Sequence, residues 1–212
     1  MKYRTVIFDF DGTLADSEPL MISALNAVSD EFGFAPITAE ELPQLRALSQ
    51  KELVAERLGI PLWRVRTWLR LEKRAKEEFA KTRKRPQLFP GVAEVVSQLR
   101  SRGAVVGVVS SGVPSVVEQV LDEARVELDF VDAGTSSFRK GSALRAVLRR
   151  HRFAAASTVY VGDELRDLAA CKKAGIAMFG VAWGLNSAEA LEKAGVEVVS
   201  TPEELLRMLI NV

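Results

Sequence analysis

The segment Val6-Ile7-Phe8-Asp9-Phe10-Asp11-Gly12-Thr13 constrains the fold of this chain more than any other stretch. Its opening residues are apolar and largely β-branched, which predicts a buried strand that ends at two carboxylates. In open α/β sheets, ligands bind at the carboxyl ends of the strands, so we expect Asp9 and Asp11 at a functional site. Their side chains share one face of an extended chain, and two like charges so close are costly unless a cation or a shared proton relieves them. For this segment alone, a strand followed by an ordinary Asp-Gly turn is the alternative.

Beyond residue 86 the chain alternates between strand and helix patterns. Apolar runs predict strands at 104–110, near 130–131, and at 157–161, 176–181 and 196–199. Helical patterns lie at 92–102, 114–124, 141–151, 165–174, 187–194 and 202–210. Strands that alternate with helices form a mostly parallel sheet covered on both faces. The predicted fold class is therefore α/β, with a Rossmann-like core.

Residues 17–85 interrupt this alternation, because their patterns predict helices only. One of these helices is predicted over 62–82, with an apolar face formed by Val65, Trp68, Leu69, Leu71 and Phe79. We expect Trp63 and Trp68 in the apolar core of this segment. Thr38 and Glu41 have the spacing of a capping box. The predicted organisation is an α/β catalytic core of residues 1–16 and 86–212, with residues 17–85 inserted as an all-helical cap domain.

Composition restricts the classes of function. The chain has 212 residues and a formal net charge of +1, which argues against bulk nucleic-acid binding. No apolar run is long enough to span a bilayer, so we expect no membrane partner. Cys171 is the single cysteine, which predicts no disulfide framework and a reducing, cytoplasmic location. Residues 61–85 hold ten basic and three acidic side chains; a basic nucleic-acid-binding module there is the disfavoured alternative.

In two further segments, polar residues lie at or just before the start of a predicted helix. Ser110, Ser111 and Gly112 follow an apolar strand and precede a helix, where a hydroxyl and free backbone N–H groups suit a phosphate. An ordinary serine N-cap is the alternative. Lys140 begins a helix, where a cation opposes the macrodipole, so we infer a nearby anion. Arg139 competes with Lys140 for this role, and both could instead be solvated.

Asp163 and Asp167 lie four residues apart at the start of a predicted helix and therefore share a face. An ordinary acidic first turn is the alternative, because carboxylates are favoured there. Together with Asp9 they would form the oxygen cluster that Mg²⁺ prefers. Glu164 could substitute as a ligand.

These segments, in this order, resemble the four signatures of the haloacid dehalogenase-like hydrolases, and the chain is most similar to the phosphoglycolate phosphatase-like branch. The resemblance implies that Asp9 is a nucleophile that forms an aspartyl phosphate, and that Asp11 is the general acid and base. Asp9 and Asp163 would be direct Mg²⁺ ligands, Asp11 would contribute its backbone carbonyl, and Asp167 would lie behind them. Gly141 departs from the family, which often has proline after the lysine.

The resemblance also implies substrate contacts and a reaction. Thr13 and Arg46 are candidate substrate-binding residues, Arg46 because it resembles the cap arginine that family members lower onto substrate. We expect a Mg²⁺-dependent phosphatase that hydrolyses a small phosphorylated metabolite, either phosphoglycolate-like or a sugar phosphate. The alternatives are a phosphomutase of the β-phosphoglucomutase type and, from another class, a receiver-like phospho-aspartate signalling or binding module. The chain is expected to be a monomer or a homodimer.

Overall fold

The computed structural model describes residues 2–211, and its centre is a six-stranded sheet in the order β5-β4-β1-β6-β7-β8. Every pairing in this sheet is parallel. The strands are β1 (Thr5–Phe8), β4 (Val105–Val109), β5 (Phe130–Asp132), β6 (Thr158–Gly162), β7 (Ala177–Val181) and β8 (Glu197–Val199). The predicted α/β fold class with a parallel core is confirmed.

The register of the three central strands brings their carboxyl ends to one edge. Phe8, at the end of β1, pairs with Val108 of β4 and with Val161 of β6. The next residues of each strand therefore emerge side by side. The backbone N–H of Asp9 continues the ladder by donating to the carbonyl of Val161 at 2.8 Å.

Helices cover both faces of the sheet, as the continuous apolar runs of the strands require. They are α6 (Val92–Ser101), α7 (Pro114–Glu123), α8 (Lys140–His151), α9 (Leu165–Ala174), α10 (Ala188–Lys193) and α11 (Pro202–Asn211). Successive strand residues point to opposite faces, so Val6 and Phe8 pack with α6, α7 and α11. Ile7 and Tyr160 pack on the other face, with α8 and α9.

Between residues 17 and 84 the chain forms helices only. They are α1 (Glu18–Asn26), α2 (Ser29–Phe32), a 3₁₀ turn at Ala39–Glu41, α3 (Leu42–Leu45), α4 (Gln50–Glu52) with a π-helical turn at Leu53–Arg57, and α5 (Val65–Lys81). An antiparallel pair, β2 (Ala15–Asp16) and β3 (Gln87–Leu88), brackets this segment. Its helices enclose an apolar cluster of their own, which contains Val28, Val54 and Trp68.

The apolar face predicted for the long helix is only partly correct. The helix begins at Val65, and Trp68, Leu71 and Phe79 are buried on it. Val65 and Leu69, which the spacing placed on the same face, are exposed. Trp63, which we expected in the core, is 76% exposed in the turn before α5, with the guanidinium of Arg64 over its ring.

None of the described helices combines the length and the apolar character that crossing a bilayer requires.

Candidate active site

The carboxyl ends of three neighbouring strands place the predicted site residues together. Asp9 follows β1, Ser110 follows β4, and Asp163 follows β6. All three side chains are buried, as are Lys140 at the start of α8 and Asp167 in the first turn of α9. Residues from Asp9 to Asp167 in sequence therefore form one buried polar cluster.

The carboxylate of Asp9 is fixed by two donors on opposite oxygens. The backbone N–H of Phe10 donates to Asp9 Oδ1 at 2.8 Å. The ammonium of Lys140 contacts Asp9 Oδ2. Because both oxygens are held, the carboxylate has one defined orientation at the end of β1.

Lys140 is the cation of this cluster, and its ammonium also lies 2.5 Å from Asp167 Oδ1. The aromatic ring of Tyr160 lies beneath it, with the ring centroid 5.3 Å away. Burial opposes the charge, but Asp167 and Asp9 outweigh it and hold the pKa of Lys140 above its ordinary value. Lys140 is therefore protonated, whereas Arg139, the competing residue, is exposed to solvent.

Asp11 has the environment of a group that exchanges protons near neutral pH. Burial raises its pKa to about 6, against the opposing effect of the Ser17 hydroxyl. That hydroxyl donates to Asp11 Oδ1 at 2.7 Å. The other oxygen faces Gly112, where a Cβ atom would lie 2.7 Å from Asp11 Oδ2. A glycine at 112 therefore lets the backbone approach Asp11 closely.

The carboxylates of Asp9, Asp163 and Asp167 offer oxygens that all lie within 4.8 Å of one another. Burial and the neighbouring carboxylates raise the pKa of Asp163. Buried carboxylates this close repel one another unless a cation sits among them, and hard oxygen donors suit a small divalent ion. The donor set of this structure therefore fits a divalent metal.

Hydrogen bonds position Asp163 within this cluster. Thr13 Oγ1 donates to Asp163 Oδ1 at 2.8 Å, and the backbone N–H of Leu185 donates to Oδ2 at 2.8 Å. A Cβ on Gly12 would lie 2.1 Å from Asp163 Oδ2, and a Cβ on Gly184 would lie 2.2 Å from Asp163 Cβ. Two glycines on different segments therefore make the space that this carboxylate occupies.

A cavity of about 190 Å³ extends from Asp11, Ser111 and Gly112 towards the helical segment. Most of its wall on the helical side is apolar, formed by Met21, Ala24, Leu25, Leu53, Val54 and Leu58. The charged residues in its wall include Arg166 and the ion pair between Glu72 and Lys76, whose oxygen and nitrogen lie 2.8 Å apart.

Comparison with known proteins now identifies the family. The sequence profile of the haloacid dehalogenase-like hydrolases matches residues 6–181. The chain belongs to the haloacid dehalogenase-like hydrolases. The resemblance drawn from the four motifs is thus confirmed, and the chain lies in the phosphoglycolate phosphatase-like branch.

Relatives within this family are similar over most of the chain. A phosphoglycolate phosphatase from Synechococcus elongatus is 36% identical over 207 residues, covering 96% of each chain. A phosphoglycolate phosphatase from Xanthomonas campestris is 29% identical over 195 residues, covering 85% of this chain and 84% of its own. Together with the family match, these relatives identify the chain as a phosphatase, a phosphoric monoester hydrolase.

Solved structures have the same fold. A protein proposed to be a phosphoglycolate phosphatase, from Lactobacillus delbrueckii, superposes with a TM-score of 0.79 at 25% identity, covering both chains fully. A protein proposed to be a β-phosphoglucomutase, from Thermotoga maritima, superposes with a TM-score of 0.63 at 26% identity, covering 99% of each chain. Phosphatases of this family generally use a divalent metal, which the buried carboxylate cluster fits.

Three of the predicted substrate-binding residues bind other groups of the protein. The guanidinium of Arg46 pairs with Glu18 at 2.5 Å, and Arg46 is not among the residues that line the cavity. The hydroxyl of Thr13 donates to Asp163. The backbone N–H of Gly112 donates to Ser110 Oγ at 2.9 Å, so binding a phosphate with this group would require exchanging that bond. The substrate-binding roles of these residues stay predictions.

Sequence reasoning missed two features of the site. Arg166 lines the cavity and lies within the fourth motif, but we interpreted only the acidic residues of that motif. The segment around Leu185 supports Asp163 from a loop after β7, and no local pattern points to it. Its neighbour Trp183 donates from Nε1 to the carbonyl of Thr13 at 3.1 Å, which ties the same loop to the first motif.

Proposed function

We propose that this chain is a Mg²⁺-dependent phosphatase that hydrolyses a small phosphate monoester, phosphoglycolate-like or a sugar phosphate, through an aspartyl phosphate on Asp9. The observation that carries this proposal is the fixed carboxylate of Asp9 beside both Lys140 and Asp11 at the strand ends. A nucleophile, a cation and a proton donor are what phosphoryl transfer from an ester requires.

In the first step, a carboxylate oxygen of Asp9 bonds to phosphorus while the bond from phosphorus to the ester oxygen breaks. Asp11 in its protonated form gives its proton to the departing oxygen. In the second step, ionised Asp11 takes a proton from water, whose oxygen bonds to phosphorus while the bond to Asp9 breaks. A pKa of about 6 leaves both forms of Asp11 accessible near neutral pH.

The carboxylates of Asp9 and Asp163 and the backbone carbonyl of Asp11 would hold Mg²⁺. Bound there, Mg²⁺ would supply positive charge that offsets the phosphoryl oxygens. Asp167 has one oxygen engaged by Lys140 and the other by the N–H of Glu164 at 3.3 Å, so it is better placed to hold Lys140 than to bind metal. Glu164 is turned towards Arg166, at 2.5 Å.

The metal assignment predicts a difference between two variants. Asp163→Ala should weaken Mg²⁺ binding much more than Asp167→Ala, measured as the Mg²⁺ concentration that raises the melting temperature halfway. Equal weakening would contradict the assignment of Asp163 as a direct ligand and Asp167 as the residue that holds Lys140.

Two further proposals concern the helical segment and the cellular location of the chain. We propose that residues 17–85 form a cap over the site, since α1, α5 and the π-helical turn wall the cavity next to Asp11. The lone, buried Cys171 supports a cytoplasmic location. Nothing in the mechanism calls for nucleic acid or a membrane, and the partner is a small phosphorylated metabolite.

A phosphomutase is the second candidate, because the fold is shared with the Thermotoga maritima protein. A mutase must bind a sugar in two orientations, which needs many hydroxyl partners. The largely apolar wall of the cavity offers few, and this favours the hydrolase. Family membership disfavours a receiver-like signalling module.

The test is a panel of phosphate monoesters incubated with the purified chain in water enriched in ¹⁸O, with Mg²⁺ or with a chelator. We expect release of inorganic phosphate that carries solvent ¹⁸O, and only with Mg²⁺. A phosphoenzyme that persists in water yet transfers its phosphate to a hexose phosphate would favour the mutase. If, with Mg²⁺ present, no ester releases phosphate and no phosphoenzyme forms, both candidates would be rejected.

A further inference from the structure

Arg166 is a cation with only 15% of its side chain exposed, and the mechanism above does not use it. It is the second residue of α9, between Asp163 and Asp167, and its side chain lines the cavity together with Asp11 and Ser111. A cation in the first turn of a helix opposes the macrodipole, so the helix itself does not favour an arginine there.

The guanidinium of Arg166 is incompletely paired within the described residues. Glu164 Oε1 lies 2.5 Å from Nη2 and is its one ion-pair partner there. Nε is buried and has no hydrogen-bond partner. A buried donor without an acceptor is unfavourable, most of all when it carries charge. A second acceptor would remove this cost.

Lys140, the other cation of the site, has fewer hydrogen-bond donors left for a ligand. The ammonium of Lys140 already contacts carboxylate oxygens of Asp9 and Asp167 and rests on the ring of Tyr160. A phosphate monoester adds up to two negative charges to a site that already contains Asp9, Asp11 and their acidic neighbours. Among the cations of the cavity wall, Arg166 is best placed to stabilise the negative charge of the phosphate.

We propose that Arg166 binds the phosphoryl group of the substrate, donating to a non-bridging oxygen. This inference rests on the proposed function, since it requires a phosphate in the cavity. It selects the phosphoryl group over the leaving group, because Arg166 lies close enough to the strand-end site for its charge to lower the pKa of Asp11, which borders the same cavity. The role is therefore the same for every ester. The competing explanation is that Arg166 serves only as the counter-ion of Glu164.

The probe is inorganic phosphate, the common product of all esters. Its dissociation constant is measured by calorimetry with Mg²⁺ present, for the unaltered chain and for Arg166→Gln. We expect binding to weaken about 10- to 100-fold, the value of a hydrogen bond to a charged group. The exposed Arg145→Gln on α8 is the matched control and should leave phosphate binding unchanged.

A double variant separates the two explanations even if Arg166→Gln folds poorly. Glu164→Gln with Arg166→Gln removes both charges of the pair, so no unpaired carboxylate is left buried. We expect this variant to melt near the unaltered chain and still to bind phosphate at least tenfold more weakly. Recovery of full phosphate affinity in the double variant would overturn the inference and leave the proposed function intact. An unaltered chain that binds no phosphate and cleaves no ester would reject both.

Discussion

Asp9, Lys140 and Asp167 form a buried row of charges in which the lysine contacts a carboxylate on each side. The arrangement explains how a cation can occupy the start of α8. Its desolvation is offset by two close carboxylates, and removing either partner leaves the other pair in place.

Asp9→Asn tests the nucleophile within this row. The change keeps the shape of the side chain and leaves Asp167 beside Lys140, so we expect the fold to persist. Turnover should fall below about 1% of the original kcat, at least about 2.7 kcal/mol of barrier. Single-turnover phosphate release measures this, and Asp122→Asn, exposed on α7, is the control. Near-normal turnover by Asp9→Asn would reject the covalent route.

Asp11 makes activity and stability depend on pH in a predictable direction. Its pKa of 3.8 in an unfolded chain rises to about 6 on folding, because burial penalises the ionised form. The folded state therefore binds the proton more tightly, and stability falls as the pH rises from about 4 to about 6. In metal-free protein at pH 8, the cost is at most about 3 kcal/mol.

Asp11→Asn should remove that cost and slow catalysis at the same time. We expect a higher melting temperature at pH 8 without metal, and little change near pH 3, where Asp11 is mostly protonated in both states. Both chemical steps should slow by about 10²–10⁴-fold, the usual contribution of a general acid or base. Denaturant unfolding at the two pH values and stopped-flow kinetics measure these effects. Equal stabilisation at both pH values would contradict the burial argument.

At the scale of elements, the turn after β1 positions the metal-binding carboxylate. Gly12 has φ +74° and faces Asp163, whereas Gly33, at the end of α2, has φ +75° and open space where its Cβ would be. The two positions carry the same backbone strain when replaced by alanine, about 1–2 kcal/mol. They differ only in what the new methyl group meets.

Gly12→Ala should therefore do more than Gly33→Ala. The added Cβ must displace the carboxylate of Asp163, so we expect Mg²⁺ affinity to fall at least tenfold. Gly33→Ala should lower the melting temperature slightly and leave Mg²⁺ affinity unchanged. Mg²⁺-dependent thermal shift of both variants measures the difference. Equal Mg²⁺ affinities in the two variants would show that Asp163 does not need this close approach.

Strands, helices and catalytic motifs could be predicted because their signals are local. The apolar run before Asp9 and the acidic turn at Asp163 are each contiguous, and the rule that strand ends converge brings them together. Local spacing does not predict a contact correctly when a residue from another element competes for one of its partners. Thr38 makes no cap bond and Glu41 pairs instead with Arg57, while Ser49 and Glu52 form the capping box.

Burial and pairing across the chain were equally beyond local patterns. Helical spacing showed that Leu69 could share a face with Trp68, but not that only Trp68 would be covered. The same limit hid the support of Asp163 by the N–H of Leu185, 22 residues along the chain. Arg166 was overlooked because its significance depends on burial, which a sequence motif does not display.

At the scale of the whole molecule, five of the ten basic side chains in residues 61–85 form ion pairs with nearby acids. Arg74 pairs with Glu31, Glu77 and Glu78, and Lys76 pairs with Glu72. Exposed pairs of this kind contribute little to stability, so their role is mainly to balance charge. This arrangement favours a solvated helix face over a nucleic-acid-binding surface.

The junction of the helical segment with the sheet should set the size of the leaving group. Ala75 of α5 lines the cavity, whereas Ala80 of the same helix is exposed. Ala75→Leu adds three carbons to a space of about 190 Å³, and overfilling a packed space costs about 1–3 kcal/mol. For Ala75→Leu, we expect kcat/KM for the bulkiest esters cleaved to fall at least tenfold, and kcat/KM for the most compact ester to fall less. For Ala80→Leu, we expect almost no loss of kcat/KM with either kind of ester. Steady-state kinetics with two esters of matched leaving-group acidity measure the ratio. A uniform loss for both esters would indicate distortion of the catalytic group, and no loss would place the leaving group outside this cavity.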